Sequence, residues 1–171
     1  MKLKVSLLML AASAILSSWL YWGSDAKVGQ LLTSREWQSK MVTLLTEVVH
    51  EDAIGPLRRV ELQSNAKYLP NGTYIRTSVV HLFVEESETP NIINISETGQ
   101  WDINDNYLLI SPTDFKDVSS AQSKDFTQDQ LNLITQVIKM DAEQSRRIDI
   151  VNQKTLLLTS LNHGSTVLFS N

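Results

Sequence analysis

The sequence predicts an α+β fold, mostly β, behind an N-terminal membrane-spanning helix. Three observations carry this. Val5 to Trp22 is apolar and holds no charged residue. About eight later stretches have the alternating pattern of strands. A single stretch, opening at Thr127, has the period of an amphipathic helix. The order strands, one helix, strands describes a curled sheet with a helix packed on it. A meander of about eight strands closes readily into a small barrel with a ligand-sized interior.

The apolar stretch, at about 1.5 Å rise per helical residue, is just long enough for the roughly 30 Å apolar layer of a bilayer. Lys2 and Lys4 precede it, and basic flanks stay in the cytoplasm. Trp19, Tyr21 and Trp22 cluster at its far end, where aromatic rings sit at headgroup level. Residues 1–4 are therefore read as cytoplasmic, 5–23 as a transmembrane anchor through Val5, Leu10, Ile15, Trp19 and Trp22, and 24–171 as an exported domain. The competing reading is a signal peptide cut at Ala12-Ser13-Ala14. Such a cut leaves a short apolar core and exposes Ile15 to Trp22 at the new terminus.

The chain has 171 residues, and the part beyond the anchor is enough for one cored domain. The formal charge is -4, against a nucleic-acid-binding surface. There is no cysteine, so neither disulfides nor thiol chemistry are expected.

Ser24 to Leu32 reads as a short lead into the domain. Thr33-Ser34-Arg35-Glu36 has capping-box spacing, but Trp37 to Thr43 alternates. Trp37 to Leu45 is helix by propensity and strand by pattern; strand is the expectation. Glu47 to Pro56 reads as a connection. Arg59 to Tyr68 alternates, with Val60, Leu62, Ser64, Ala66 and Tyr68 on one face. Pro70-Asn71-Gly72 is a hairpin turn. Thr73 to Glu85 returns with two largely apolar faces, which predicts cover on both sides.

Glu85 to Pro90 reads as a charged loop, Ile92 to Ile103 as a strand and Asn104-Asp105-Asn106 as a turn. Tyr107 to Ser111 reads as a strand stopped by Pro112, and Phe115 to Ser123 as irregular. Thr127-Gln128-Asp129-Gln130 is a capping box. The helix behind it turns Leu131, Leu133, Ile134, Val137, Ile138, Met140 and Ala142 to one broad face. Asp141 falls on that face, so it either ends the helix or pairs with Arg146 or Arg147. Arg147 to Asn152, Lys154 to Leu161 and Thr166 to Phe169 are the closing strands, the last two joined by Asn162-His163-Gly164.

No enzyme motif is present: no Gly-x-Ser-x-Gly, no phosphate-cradling glycine loop, no dinucleotide fingerprint. His50, His81 and His163 lie far apart without metal-ligand neighbours, so no catalytic or metal site is expected and no cofactor. His163-Gly164-Ser165 reads as a turn, and Glu85, Glu86 and Glu88 as a solvated loop. Trp37, Tyr68, Tyr74, Phe83, Trp101 and Tyr107, with Met41, form either a packed core or the lining of a ligand pocket. The terminal strand Thr166, Val167, Leu168 and Phe169 is a candidate edge to which a partner could add a strand.

Several stretches carry a family likeness. They are Tyr21-Trp22-Gly23-Ser24-Asp25, Leu32 to Thr43, Lys67 to Gly72, Gly99 to Ile103, Gln122 to Thr127, Met140-Asp141-Ala142 with Gln144 to Arg147, and His163 to Phe169. The chain resembles the ToxS family, inner-membrane partners of ToxR-type transcription activators. The likeness is weakest at the anchor and from Glu47 to Ala53. It implies a bitopic inner-membrane protein whose lipocalin-like periplasmic domain binds, stabilises and activates the periplasmic domain of a ToxR-like activator, with a bile salt as candidate ligand of a shared barrel. The activator, not this chain, would carry the DNA-binding domain. The alternative is an independent membrane-tethered periplasmic binding protein for a hydrophobic molecule.

Overall fold

The computed structural model describes residues 2–44, 56–84, 89–117, 125–160 and 164–170. Residues 45–55 (with His50), 85–88 and 118–124, together with Leu161, Asn162 and His163, lie outside the described residues. So do most of the expected connection after Glu47, the charged loop and the closing turn.

The first helix, α1, runs Lys2–Thr33. Its side chains at 2–4, 7 and 19–24, including Trp19 and Trp22, lie outside the described set. Among the described residues no helix is long and apolar enough to cross a membrane. Val5, Leu10 and Ile15 are exposed on α1. The expected lead from Ser24 to Leu32 is corrected: α1 passes through it unbroken, and Val28 and Leu32, four residues apart on one face, are buried. Thr33 and Ser34 end the helix rather than start one. Their hydroxyls donate to the carbonyls of Gly29 at 2.9 Å and Leu31 at 2.7 Å.

The strands are β1 Glu36–Leu44, β2 Leu57–Tyr68, β3 Thr73–Val84, β4 Asn91–Asn104, β5 Tyr107–Asp117, β6 Arg146–Asn152, β7 Thr155–Ser160 and β8 Gly164–Phe169. They form a closed antiparallel barrel in sequence order. The eight expected strands are thus present, and Trp37 lies in a strand. Two hairpins have the turn chemistry their residues dictate. Gly72 takes φ 79° after Pro70-Asn71. The Asn71 side chain accepts from the Thr73 N–H at 3.1 Å. Asp105 and Asn106 take φ 53° and 61°. That is the positive pair of a two-residue hairpin.

Two expectations about strands are corrected. The strand from Tyr107 does not stop at Pro112; it continues to Asp117 and includes Phe115. The register shifts between Thr98 and Gly99, where β5 carries the extra residue Thr113 next to Pro112, and a Cβ on Gly99 would collide with the Ser111 carbonyl oxygen. Nor is β3 covered on both faces: Tyr74, Ser78, Val80 and Leu82 point inward, whereas Ile75 and Val79 are exposed outside. A single closed sheet has only one interior, so outward apolar residues gain cover only from a helix or another chain.

The soluble helix, α2, is Gln128–Ala142, with the Thr127–Gln130 capping box formed. It lies on the barrel by a narrower stripe than its sequence offers. Ile134 and Ala142 are buried, Leu131 and Ile138 half-buried, and Leu133, Val137 and Met140 exposed. Asp141 stands one residue before the helix end and also pairs with Arg146 at 2.6 Å.

Side chains fill the barrel in two apolar clusters. One, at the α1 end, joins Val28 and Leu32 to Trp37, Tyr68, Tyr74 and Leu108. The other, under α2, joins Leu57, Val80, Leu82, Ile93, Phe126 and Ile134. The final turns of α1 lie across the barrel mouth. Asp25 bonds the β4–β5 turn, and the Leu32 carbonyl accepts from the Trp37 indole N–H at the start of β1.

Candidate functional site

Between the two clusters runs a polar belt. Its centre is Glu97, only 2 % exposed, on the inward face of β4. The β3–β4 register sets Arg76 directly opposite. The guanidinium donates to Glu97 Oε2 from Nε at 3.0 Å and from Nη2 at 2.6 Å, and the Tyr74 hydroxyl donates to Oε1. Beside them Ser64 and Ser78 hydrogen-bond at 2.8 Å across β2 and β3. A buried carboxylate is tolerable only with such a full set of partners.

The belt perturbs its own titrations. Burial pushes the Tyr74 phenol well up, and the hydrogen bond to Glu97 adds to the shift. Burial also raises Tyr68. Burial pulls the Arg76 guanidinium down, but Glu97, Tyr68 and Tyr74 together more than offset this and the net direction is upward.

The belt borders a cavity of about 40 Å³, whose walls include Ser39, Met41, Arg76, Glu97, Asp141 and Arg146. That is water-sized; small-molecule pockets are typically about 300–1,000 Å³. Both arginines on it are neutralised, Arg76 by Glu97 and Arg146 by Asp141.

The expected pocket residues divide. Trp37, Tyr68 and Tyr74 are packed in the α1-end core, and half-buried Trp101 meets Tyr68 edge-on at 5.8 Å. The Trp101 indole N–H donates to the Leu69 carbonyl at 3.0 Å. Of the seven, Met41 reaches the 40 Å³ cavity. Phe83 stands on the outer face of β3 under the Arg59 guanidinium, and Tyr107 is exposed. His81 shares that outer face. Among the described residues no group of three or more His, Cys, Asp or Glu stands where it could hold a metal ion.

Glu97 and Arg76 escaped the sequence reading. A signal was present: the inward row of β3 reads Tyr74, Arg76, Ser78, Val80, and that of β4 Ile93, Ile95, Glu97, Gly99. Opposite charges interrupting two neighbouring apolar rows mark a buried pair.

The terminal strand also takes a definite place. β8 pairs with β7 from Gly164 to Phe169 but, among the described residues, with β1 at one position, Gln38 with Phe169. Thr166 and Leu168 face inward, while Val167 (45 %) and Phe169 (40 %) are exposed outside. Across this seam β1 exposes Val42 and Leu44.

The fold and the belt together define a closed β-barrel domain filled by its own side chains, with a long N-terminal helix docked on its mouth. The family model "Trans-membrane regulatory protein ToxS" matches residues 21–169, from the end of the apolar stretch to the last strand. The chain belongs to the ToxS family. A relative named "Transmembrane regulatory protein ToxS" in Vibrio parahaemolyticus serotype O3:K6 (strain RIMD 2210633) is 64 % identical over 171 residues, all of both chains. One of the same name in Vibrio cholerae serotype O1 (strain ATCC 39315 / El Tor Inaba N16961) is 64 % identical over 163 residues, 95 % of this chain and 94 % of that one. Membership makes the chain a transmembrane regulatory protein.

Proposed function

We propose that the chain is a single-pass inner-membrane protein, N-terminus cytoplasmic, whose periplasmic barrel binds the periplasmic domain of a ToxR-like transcription activator. Binding depopulates the activator's protease-sensitive unfolded state by mass action and so raises its activity. It acts without catalysis and without touching nucleic acid.

The observation that supports this reading is the seam between β8 and β1. A strand edge laddered at one position, flanked by exposed Val167 and Phe169, invites another strand. Val5, Leu8, Met9, Leu10, Ile15 and Leu16, exposed all round α1, support the anchor, because a helix that is apolar on every side calls for an apolar surrounding. In this reading a bile salt enters only a barrel that the partner has parted. The closed interior, at about 40 Å³, is far too small for it. The same cavity weighs against an independent binding protein, which would hold its pocket largely pre-formed.

The test co-reconstitutes the full chain with the activator's periplasmic domain. Association is measured for the native chain and for Val167→Lys, whose side chain is already exposed and whose fold should be unchanged. Loss of association in the variant supports the seam; unaltered affinity sinks it. Melting with and without bile salt separates the two ligand readings. A shift in the pair alone supports a shared barrel. A shift of the chain by itself supports the independent binding protein, with Trp37, Met41, Tyr68, Tyr74, Phe83, Trp101 and Tyr107 as its candidate lining.

A further inference from the structure

The junction between α1 and the barrel is rigid. A tethered domain would normally hang on a flexible linker. Here the helix is continuous from Lys2 to Thr33, and its last turns are part of the barrel core through Val28 and Leu32. The Asp25 carboxylate accepts from two backbone N–H groups of the β4–β5 turn, Asp105 at 3.2 Å and Asn106 at 3.0 Å. β6 is joined to the same turn, because the Ile148 N–H donates to the Asn106 carbonyl at 2.7 Å.

The consequence rests on the anchor reading of Val5 to Trp22. Asp25 follows Trp22 by three residues, about 4.5 Å along the helix. The headgroup layer on each side of a bilayer is about 5–8 Å thick. A turn bonded to Asp25 therefore cannot stand clear of it.

The exposed side chains at this corner suit that depth. Tyr107, directly after the turn, is exposed, and amphipathic rings favour the interface. Arg147, its partner across β5 and β6, is 58 % exposed and, among the described residues, held by a 3.3 Å pair with the half-exposed Asp149. Such a surface pair is weak enough to exchange for a phosphate. Asp102 and Asp105 share the corner, so it is not a polybasic patch and does not depend on anionic lipid.

We propose that the β4–β5 corner of the barrel is seated in the phospholipid headgroup layer, clamped there by Asp25, with Tyr107 and Arg147 as its lipid contacts. The barrel then keeps one fixed face toward the membrane, and the β8–β1 junction, across the ring of eight strands, faces away from it.

The chain lacks cysteine, so single labels are clean. Ile15→Cys, Tyr107→Cys and Gln63→Cys would each carry an environment-sensitive fluorophore in the full chain. The vesicles would contain phosphatidylethanolamine and phosphatidylglycerol, with nitroxides placed on the headgroup or deep in the acyl chain. Deep quenching at Ile15, headgroup quenching at Tyr107 and neither at Gln63 is the expected result. Quenching at Ile15 without any at Tyr107 overturns the seating and leaves the anchor standing. No quenching at Ile15 overturns the anchor itself. With Asp25→Ala the Tyr107 signal should be lost while Ile15 is unchanged; a retained signal overturns the clamp.

Discussion

The two halves of the barrel are built differently. From β1 to β5 each neighbour pairs along nearly its whole length: Glu36 to Leu44 with Arg59 to Lys67, Leu57 to Tyr68 with Tyr74 to Val84, and Thr73 to Leu82 with Asn91 to Gln100. From β5 round to β1 two of the four junctions are thin, while β6–β7 and β7–β8 pair along nearly their whole length. β5 meets β6 at Tyr107 and Leu108, and β8 meets β1 at Gln38. The long ladders join strands adjacent in sequence, two of them through tight turns at Pro70-Asn71-Gly72 and Asp105-Asn106. The two weak seams join strands separated by α2 or by the whole barrel, where loop closure costs more entropy before any contact is gained. The first half is a scaffold, and the second holds the places where the ring can open. The seam proposed for a partner's strand belongs to the second half.

The largest expected contrast is in amide exchange. Tyr74 and Val80 in β3 should exchange near the global unfolding limit. Val167 in β8 and Val42 in β1 should exchange orders of magnitude faster, through local opening of the seam. Equal protection across the barrel would remove the distinction between the halves.

Next in size is Glu97→Gln. It keeps the volume but leaves the Arg76 charge buried without its counter-ion, which should cost about 3–5 kcal/mol in denaturant unfolding. A loss below about 1 kcal/mol would mean that the belt contributes little to the scaffold half.

The belt also predicts an alkaline limit. The Tyr74 pKa is raised in the fold, so the folded state keeps that proton where the unfolded chain releases it. Stability is full below the ordinary tyrosine pKa of about 10 and falls as pH rises above it. Tyr74→Phe should flatten that fall in melting temperature. An unchanged slope would point to Tyr68 instead, which burial also raises.

The smallest effect belongs to α2, which lies over the second apolar cluster. Thr127→Ala removes the acceptor for the Gln130 N–H and should cost about 1 kcal/mol. Because Ile134 packs with Leu57, Val80 and Ile93, that loss should quicken exchange in α2 itself and leave Tyr74, in the other cluster, unchanged; faster exchange at Tyr74 would mean that the two clusters open together.

Local chemistry made much of this legible. Alternation located all eight strands, because the interior admits every second side chain. Asn-Gly and Asn-Asp-Asn located two hairpins, because few residues accept positive φ. Thr127 to Gln130 located the helix start, because its free N–H groups need acceptors at fixed spacing. The pocket set was less legible: its aromatic character was plain, but whether a ring lies inside or outside depends on how the sheet curls. Phe83 and Tyr107 share the strand pattern of Tyr74 and Leu108 one register away.

By itself the sequence determined the strand count, the turns, the capped helix, the family and the apolar N-terminal stretch, because these depend on residues near one another along the chain. Only the tertiary structure decided the rest. It carried α1 through the expected lead into the barrel mouth, set Arg76 against Glu97, drew β5 past Pro112 and closed the ring by setting Phe169 of β8 against Gln38 of β1. Each of these depends on which distant surfaces meet when the sheet closes. Closure is fixed by the sum of burial over the whole ring, which no local stretch encodes.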